Sequence, residues 1–197
     1  TKSSLQSVIL PDQLQEIDYA AFCECKSLMG SLIIPEGVVK IEELAFGRCS
    51  GLRGLLTLPS TLEYIGAAAF ETCAFIGELK LPDKLKYIGT QAFYSCKNFT
   101  GTLMLPESLQ YIGASAFHHC SGITGSLKIP QGITEISSFA FYGGGFDGAL
   151  IMHDGIIAIG ERAFGLCKFK GELNLPSKIF ILEDEVFINC NFSGNLK

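Results

Sequence analysis

Charge is scarce in this sequence, and none of it is gathered. Of 197 residues 18% are charged, the formal net charge is −5, and no run of Lys and Arg forms a basic stripe. A phosphate backbone demands such a stripe, so a role dominated by nucleic acid is excluded. Long apolar runs are missing as well, and nothing approaches the roughly 18–20 residues of a membrane-spanning helix. Thr1-Lys2-Ser3-Ser4 lacks the apolar stretch of a signal peptide. Histidine is limited to His118, His119 and His153, with no glycine-rich phosphate loop and no Cys/His/Asp/Glu set at ligand spacing. Catalysis needs convergent groups of that kind. The sequence therefore reads as no enzyme, with no cofactor and no metal.

What is present is repetition, carried by a chain that is 48% hydrophobic and so able to bury a core. Ala-Phe recurs, with Phe at 22, 46, 70, 93, 117, 141 and 164, and Val186-Phe187 is an eighth copy. Three residues after each Phe stands Cys25, Cys49, Cys73, Cys96, Cys120, Gly144, Cys167 or Cys190. All seven prolines (11, 35, 59, 82, 106, 130, 176) occupy one column, where His153 is the exception. A 23–24-residue period read in outline as Gly-x-Leu-x-Leu-Pro-x-x-Leu-x-x-Ile-Gly-x-x-Ala-Phe-x-x-Cys cannot bury its apolar face alone. Copies must stack in register. Leu79-Lys80-Leu81 alternates as a half-buried strand does, and Pro82 ends it because proline donates no ladder bond. The segment Ile65-Gly66-Ala67-Ala68-Ala69-Phe70 suits a short helical turn with Phe inward.

This pattern, nearly written out at Leu105–Cys120, resembles the BspA-like leucine-rich repeats of bacterial and protist surface proteins, over essentially the whole chain. The resemblance implies an α/β repeat: a curved right-handed solenoid with a parallel concave sheet and short helical or irregular turns on the convex side. It also implies an extracellular or cell-surface location and adhesion to a protein partner, in some members a host matrix protein. The expected organisation is one solenoid domain over residues 1–197, of about eight repeats. Its strands are expected at Val8–Leu10, Leu32–Ile34, Leu56–Leu58 and onward, one per period. The chain begins and ends mid-repeat, at Val8-Ile9-Leu10-Pro11 and Gly194-Asn195-Leu196-Lys197, without polar caps. That reads as a piece of a longer array, open to end-to-end self-association.

Eight cysteines suggest disulfides, but those of the column point alike on every rung and read as buried thiols. Cys23, outside the column, is the candidate for an exposed or bridging thiol. His118-His119-Cys120 reads as a turn rather than a metal tripeptide. Asn98-Phe99-Thr100 and Asn191-Phe192-Ser193 satisfy the glycosylation sequon, and serve as plain turn residues otherwise. The rung with Ser137-Ser138, Tyr142-Gly143-Gly144-Gly145 and His153 departs from the pattern at several points, as repeat drift or as a kink or ligand notch.

Function is expected where the repeat leaves positions free. Outward strand residues form two columns, one through Glu78, Thr102 and Ser126, the other through Lys80, Met104 and Lys128. Tyr64, Tyr87 and Tyr111 mark a further stripe on three consecutive rungs. Exposed aromatic anchors are enriched at interfaces, although rings on adjacent rungs also simply cover one another. The expected binding patch joins the three tyrosines to Lys80, Thr102, Met104 and Lys128. A structural spacer or a carbohydrate-binding solenoid are the rival roles.

Overall fold

The computed structural model describes residues 4–193; the expected cut at Gly194–Lys197 lies outside the described residues. Each period winds once around a shared core and lays down three walls. The first carries the Leu-x-Leu segments, seen as parallel strands such as Leu32–Ile33 beside Leu56–Thr57 and Gly77–Lys80 beside Phe99–Met104. A Pro-x-x-Leu turn follows, closed on that rung by Leu85 N–H to Pro82 O at 3.1 Å. Beyond the turn comes a second strand, which the sequence reading missed. Glu16–Ile17, Lys40–Ile41, Tyr64–Ile65, Tyr87–Ile88 and Tyr111–Ile112 form a five-stranded parallel sheet. Glu135–Ile136, Ala158–Ile159 and Ile181–Leu182 form another of three strands. No strand forms at residues 8–10. A period therefore contributes two short strands, not one.

The third wall corrects the expected helical turn. No α-helix forms among the described residues, so the fold is a parallel-strand β-solenoid of the leucine-rich-repeat kind rather than α/β. The Ala-Phe segment is a chain of overlapping tight turns. On one rung Ala69, Glu71 and Cys73 donate N–H within the rung, to Gly66, Ala68 and Phe70 O. The alternate residues Ala68, Phe70 and Thr72 donate to the next rung instead, at Thr90, Ala92 and Tyr94 O (2.7–2.8 Å). What redirects those donors is a left-handed residue on each side of the Phe, Ala68 at φ 51° and Thr72 at φ 55°. Ile, Ala and Phe at i, i+4 and i+5 look alike in a helix and here, so periodicity could not separate the two. Each left-handed non-glycine residue costs roughly 1 kcal/mol. It persists because every backbone donor from Ala68 to Cys73 then finds a partner.

The core is apolar throughout, with no buried polar or charged residue among those described. Its axis is a ladder of Phe22, Phe46, Phe70, Phe93, Phe117, Phe141, Phe164 and Phe187, neighbouring ring centroids lying 5.0–5.8 Å apart. The column cysteines line it, all eight cysteines being unbridged. Each thiol from Cys49 onward reaches back to the Phe carbonyl of the preceding rung, as Cys96 Sγ does to Phe70 O at 3.0 Å. Gly144 breaks this column because the Phe146 ring fills its space: a Cβ there would stand 2.5 Å from a ring carbon. His153 replaces proline without opening a notch. Its Nδ1 accepts from Gly155 N–H at 3.1 Å, which leaves Nε2–H to donate to Pro130 O at 2.9 Å.

Phe93 is fully buried, stacked on Phe70 and Phe117 and edge-on to Phe99. Phe93→Ala is expected to cost about 3–5 kcal/mol. In a nearest-neighbour stack the loss should melt the middle of the array, visible as early amide exchange in the adjoining rungs rather than at an end. A wild-type exchange pattern would contradict that assignment. Burial also pushes the thiols of Cys49 and Cys120 up to about 12. Cys190 departs from the expected burial of the column and is only half-buried, so iodoacetamide at neutral pH should label Cys23 first, then Cys190, and the buried thiols from Cys25 to Cys167 only on unfolding.

Candidate functional site

The residues singled out from the sequence fall on two different walls. Thr102, Met104 and Lys128 come together on the Leu-x-Leu wall, lining a groove of about 490 Å³ with Leu81, Pro106 and Ile151. Period-2 alternation turns Leu103 and Leu127 inward and leaves Met104 outward, 68% exposed. Lys128 Nζ lies 2.6 Å from Glu107 at the groove's rim, and that hydrogen bond holds the Glu107 carboxyl below its ordinary range. Lys80 is on the same wall but borders an adjacent depression with Glu36, Ser60 and Asp83. Its Nζ is 3.9 Å from Glu78.

Tyr64, Tyr87 and Tyr111 occupy the other sheet, past the proline turn, and border neither depression. They pair strand to strand and stack face to face, with centroids 4.6 and 4.7 Å apart. Tyr87, covered on both faces, has its hydroxyl pushed upward by burial and then by the flanking phenols. Lys40 caps the stack at Tyr64, its Nζ 5.0 Å from the ring centroid. The single contiguous patch expected from the sequence is thus two surfaces. One is an apolar-floored groove with a charged rim, and the other is an aromatic ladder.

A third surface went unread. Tyr94, His118 and Tyr142 follow successive core phenylalanines by one residue and stack on the turn wall at 4.8 and 5.0 Å. Their 24-residue spacing was the available signal. His119 stands edge-on to His118 at 4.4 Å, and Gly143 makes room for it, since a Cβ there would meet its Nδ1. Cys120 is buried on the other side of the backbone, so His118-His119-Cys120 does not converge on one point. No group of three His, Cys, Asp or Glu that could hold a metal occurs among the described residues. Asn98 and Asn191 are both exposed. No described helix is long and apolar enough to cross a membrane.

Comparison with known proteins bears on this geometry. The BspA type leucine-rich repeat region matches residues 1–102 and 100–195, in six copies. Among solved structures, a leucine-rich repeat protein from Bacteroides ovatus superposes with a TM-score of 0.75 at 24% identity, over 89% of this chain and 44% of its own. This chain thus spans less than half of that protein's length. A leucine-rich repeat protein of T. pallidum gives 0.63 at 27% identity, covering 86% of this chain and 75% of that one. A leucine-rich cell surface protein from Faecalibacterium prausnitzii gives 0.54 at 21% identity, covering 94% and 71%. No curated protein matches.

His118 makes the turn wall sensitive to acid. Its Nδ1 is buried with no hydrogen-bond partner among the described residues, and burial, then the neighbouring His119, lower its pKa to about 4. A histidine whose folded pKa lies below its unfolded value near 6.5 takes up its proton less readily when folded. Stability is therefore unchanged above the unfolded value, falls as pH drops from about 6.5 to 4, and levels off below. For a half-buried ring the loss should be about 1–2 kcal/mol. His118→Phe keeps the stack and should flatten that part of the pH–Tm curve. Parallel curves for the two proteins would refute it.

Proposed function

We infer a binding role from one premise: the chain belongs to the BspA-type leucine-rich-repeat family. In this reading the chain is a protein-binding module displayed at the cell surface or outside the cell. It engages a surface or matrix protein and catalyses nothing. The observation that carries the reading is the groove on the Leu-x-Leu wall. Met104 and Ile151, 68% and 49% exposed, are large apolar side chains left in solvent on a wall whose neighbouring residues are locked inward. Thr102, Ser126 and the Lys128–Glu107 pair supply polar edges around them. An apolar anchor inside a polar rim is how interface energy is concentrated. The histidines support the non-catalytic part. His153 has both ring nitrogens engaged in backbone contacts, and His118 is sandwiched between two tyrosines. A solved neighbour of the same fold is a cell surface protein, which agrees with the location.

The test is surface plasmon resonance against immobilised extracellular-matrix proteins, run alongside melting curves. Met104→Asp should weaken binding by about 30-fold, the equivalent of about 2 kcal/mol, with an unchanged Tm because the side chain is exposed. Tyr87→Ala should lower Tm through two lost stacking contacts, about 1–2 kcal/mol together, and leave groove binding intact. Retention of full affinity by Met104→Asp would move the site elsewhere. A chain that bound none of these proteins would behave as a spacer.

A further inference from the structure

The tyrosine stack has two ends, and they are finished differently. Along the wall the column reads Glu16, Lys40, Tyr64, Tyr87, Tyr111, Glu135. At the first end the chain supplies its own cation. Lys40 Nζ sits over the Tyr64 ring at 5.0 Å, held there by Glu42 and by Glu16 at 3.8 Å. The negative face of a phenol ring attracts a cation, and flanking carboxylates keep it in place.

At the other end that cation is missing. One face of Tyr111 lies on Tyr87, while no ring or cation of the described residues covers the other, and the residue is 41% exposed. The next residue of the column, Glu135, is exposed and has no ion pair among the described residues. Lys128, on the Leu-x-Leu strand of Glu135's own rung, is engaged by Glu107. The wall is also open at this seam. No strand pairing joins Tyr111–Ile112 to Glu135–Ile136, and the Ser137 hydroxyl takes the Ile112 carbonyl instead, at 2.6 Å.

We propose that the open face of Tyr111, with Glu135 at the next position of the same column, receives a lysine or arginine side chain of a protein partner. The proposal rests on the protein-binding reading above and adds a second contact, on a different wall, with its own chemistry. The exposed Lys40–Tyr64 contact is its template. A guanidinium suits the site well, because its plane stacks on the ring while its N–H fork reaches the carboxylate. The site is shallow and exposed, so alone it binds weakly. Within an interface it favours partners carrying a basic segment, which the chain's overall net charge of −5 also favours.

The chain holds six tyrosines and no tryptophan, and three of the six form this stack, so tyrosine emission is an intrinsic probe of it. Titration with a hexa-arginine peptide should give a saturable change, weakened by added salt and absent with hexaglycine. Glu135→Gln should weaken the binding about 5-fold, and Tyr111→Leu should reduce it at least as much. Asp12→Asn, which removes the same charge from another part of the surface, should leave it unchanged. Isothermal titration calorimetry gives the same comparison should Tyr111→Leu dim the emission, and Glu135→Gln, a surface change, decides the matter should Tyr111→Leu fold poorly. Equal affinity in wild type and Glu135→Gln, or equal weakening by Asp12→Asn, overturns the proposal. The peptide titration involves no matrix protein, so its failure leaves the groove result standing, and loss of groove binding leaves this one standing.

Discussion

Rung-to-rung registration is the constraint on which everything else in this molecule depends, because no period satisfies its own backbone. On the turn wall, alternate N–H groups leave the rung altogether, as those of Ala68, Phe70 and Thr72 do. On the two strand walls the ladder bonds are between rungs by definition. A single period would expose these donors and the apolar faces of Leu79, Ile88 and Phe93 together. Stacking solves both problems with one displacement along the axis. That displacement must then match the spacing of aromatic rings, and the phenylalanine ladder at 5.0–5.8 Å shows that it does. A period of 23–24 residues is thus a geometric requirement, and insertions would break three ladders at once.

The core was legible in the sequence because its constraint repeats. Phe, Cys, Leu and Pro recur wherever the same position of the rung recurs, so their columns read as packing from the sequence alone. The second strand was not legible, and the reason is physical. Tyr87–Ile88 is two residues long and has no alternation to display. Only its neighbours across 23 or 24 residues make it a strand. The left-handed residues were hidden for a similar reason. Positions such as Gln91 at φ 57° and Ser95 at φ 60° carry ordinary side chains, where glycine or asparagine would have announced the conformation. There the inter-rung bonds impose a backbone that the local sequence does not prefer.

The candidate surfaces were legible by residue but not by place. Met104, Thr102 and Lys128 were identified as outward and do share a groove. Tyr64, Tyr87 and Tyr111 were identified as a stripe and do stack. Counting residues along one rung could not reveal that the Pro106 turn puts Met104 and Tyr111 on separate walls. A tight turn reverses the meaning of sequence proximity, since side chains a few residues apart face different solvent. The Tyr94–His118–Tyr142 stack was missed because His118 and Tyr142 were read along their own rungs, and Tyr94 not at all, rather than down their column.

The departures from the repeat then acquire a physical meaning. Gly144 yields to Phe146 and Gly143 yields to His119, while His153 restores by hydrogen bonds the turn that proline gives elsewhere. Each change at that rung is matched by a neighbour, and the core keeps no buried polar or charged residue among those described. Ser137 belongs to the same rung, but its consequence runs outward. By taking the Ile112 carbonyl with its hydroxyl, it stands in for the ladder pairing that would otherwise join the two sheets. The tyrosine stack ends at that seam, leaving the Tyr111 ring with one face uncovered by any ring or cation of the described residues, and Glu135 next in its column. An array of nearly identical rungs has no intrinsic place for a ligand, because every rung offers the same face. Specificity has to enter where a rung differs, and this one differs in a way that the core tolerates and the surface displays.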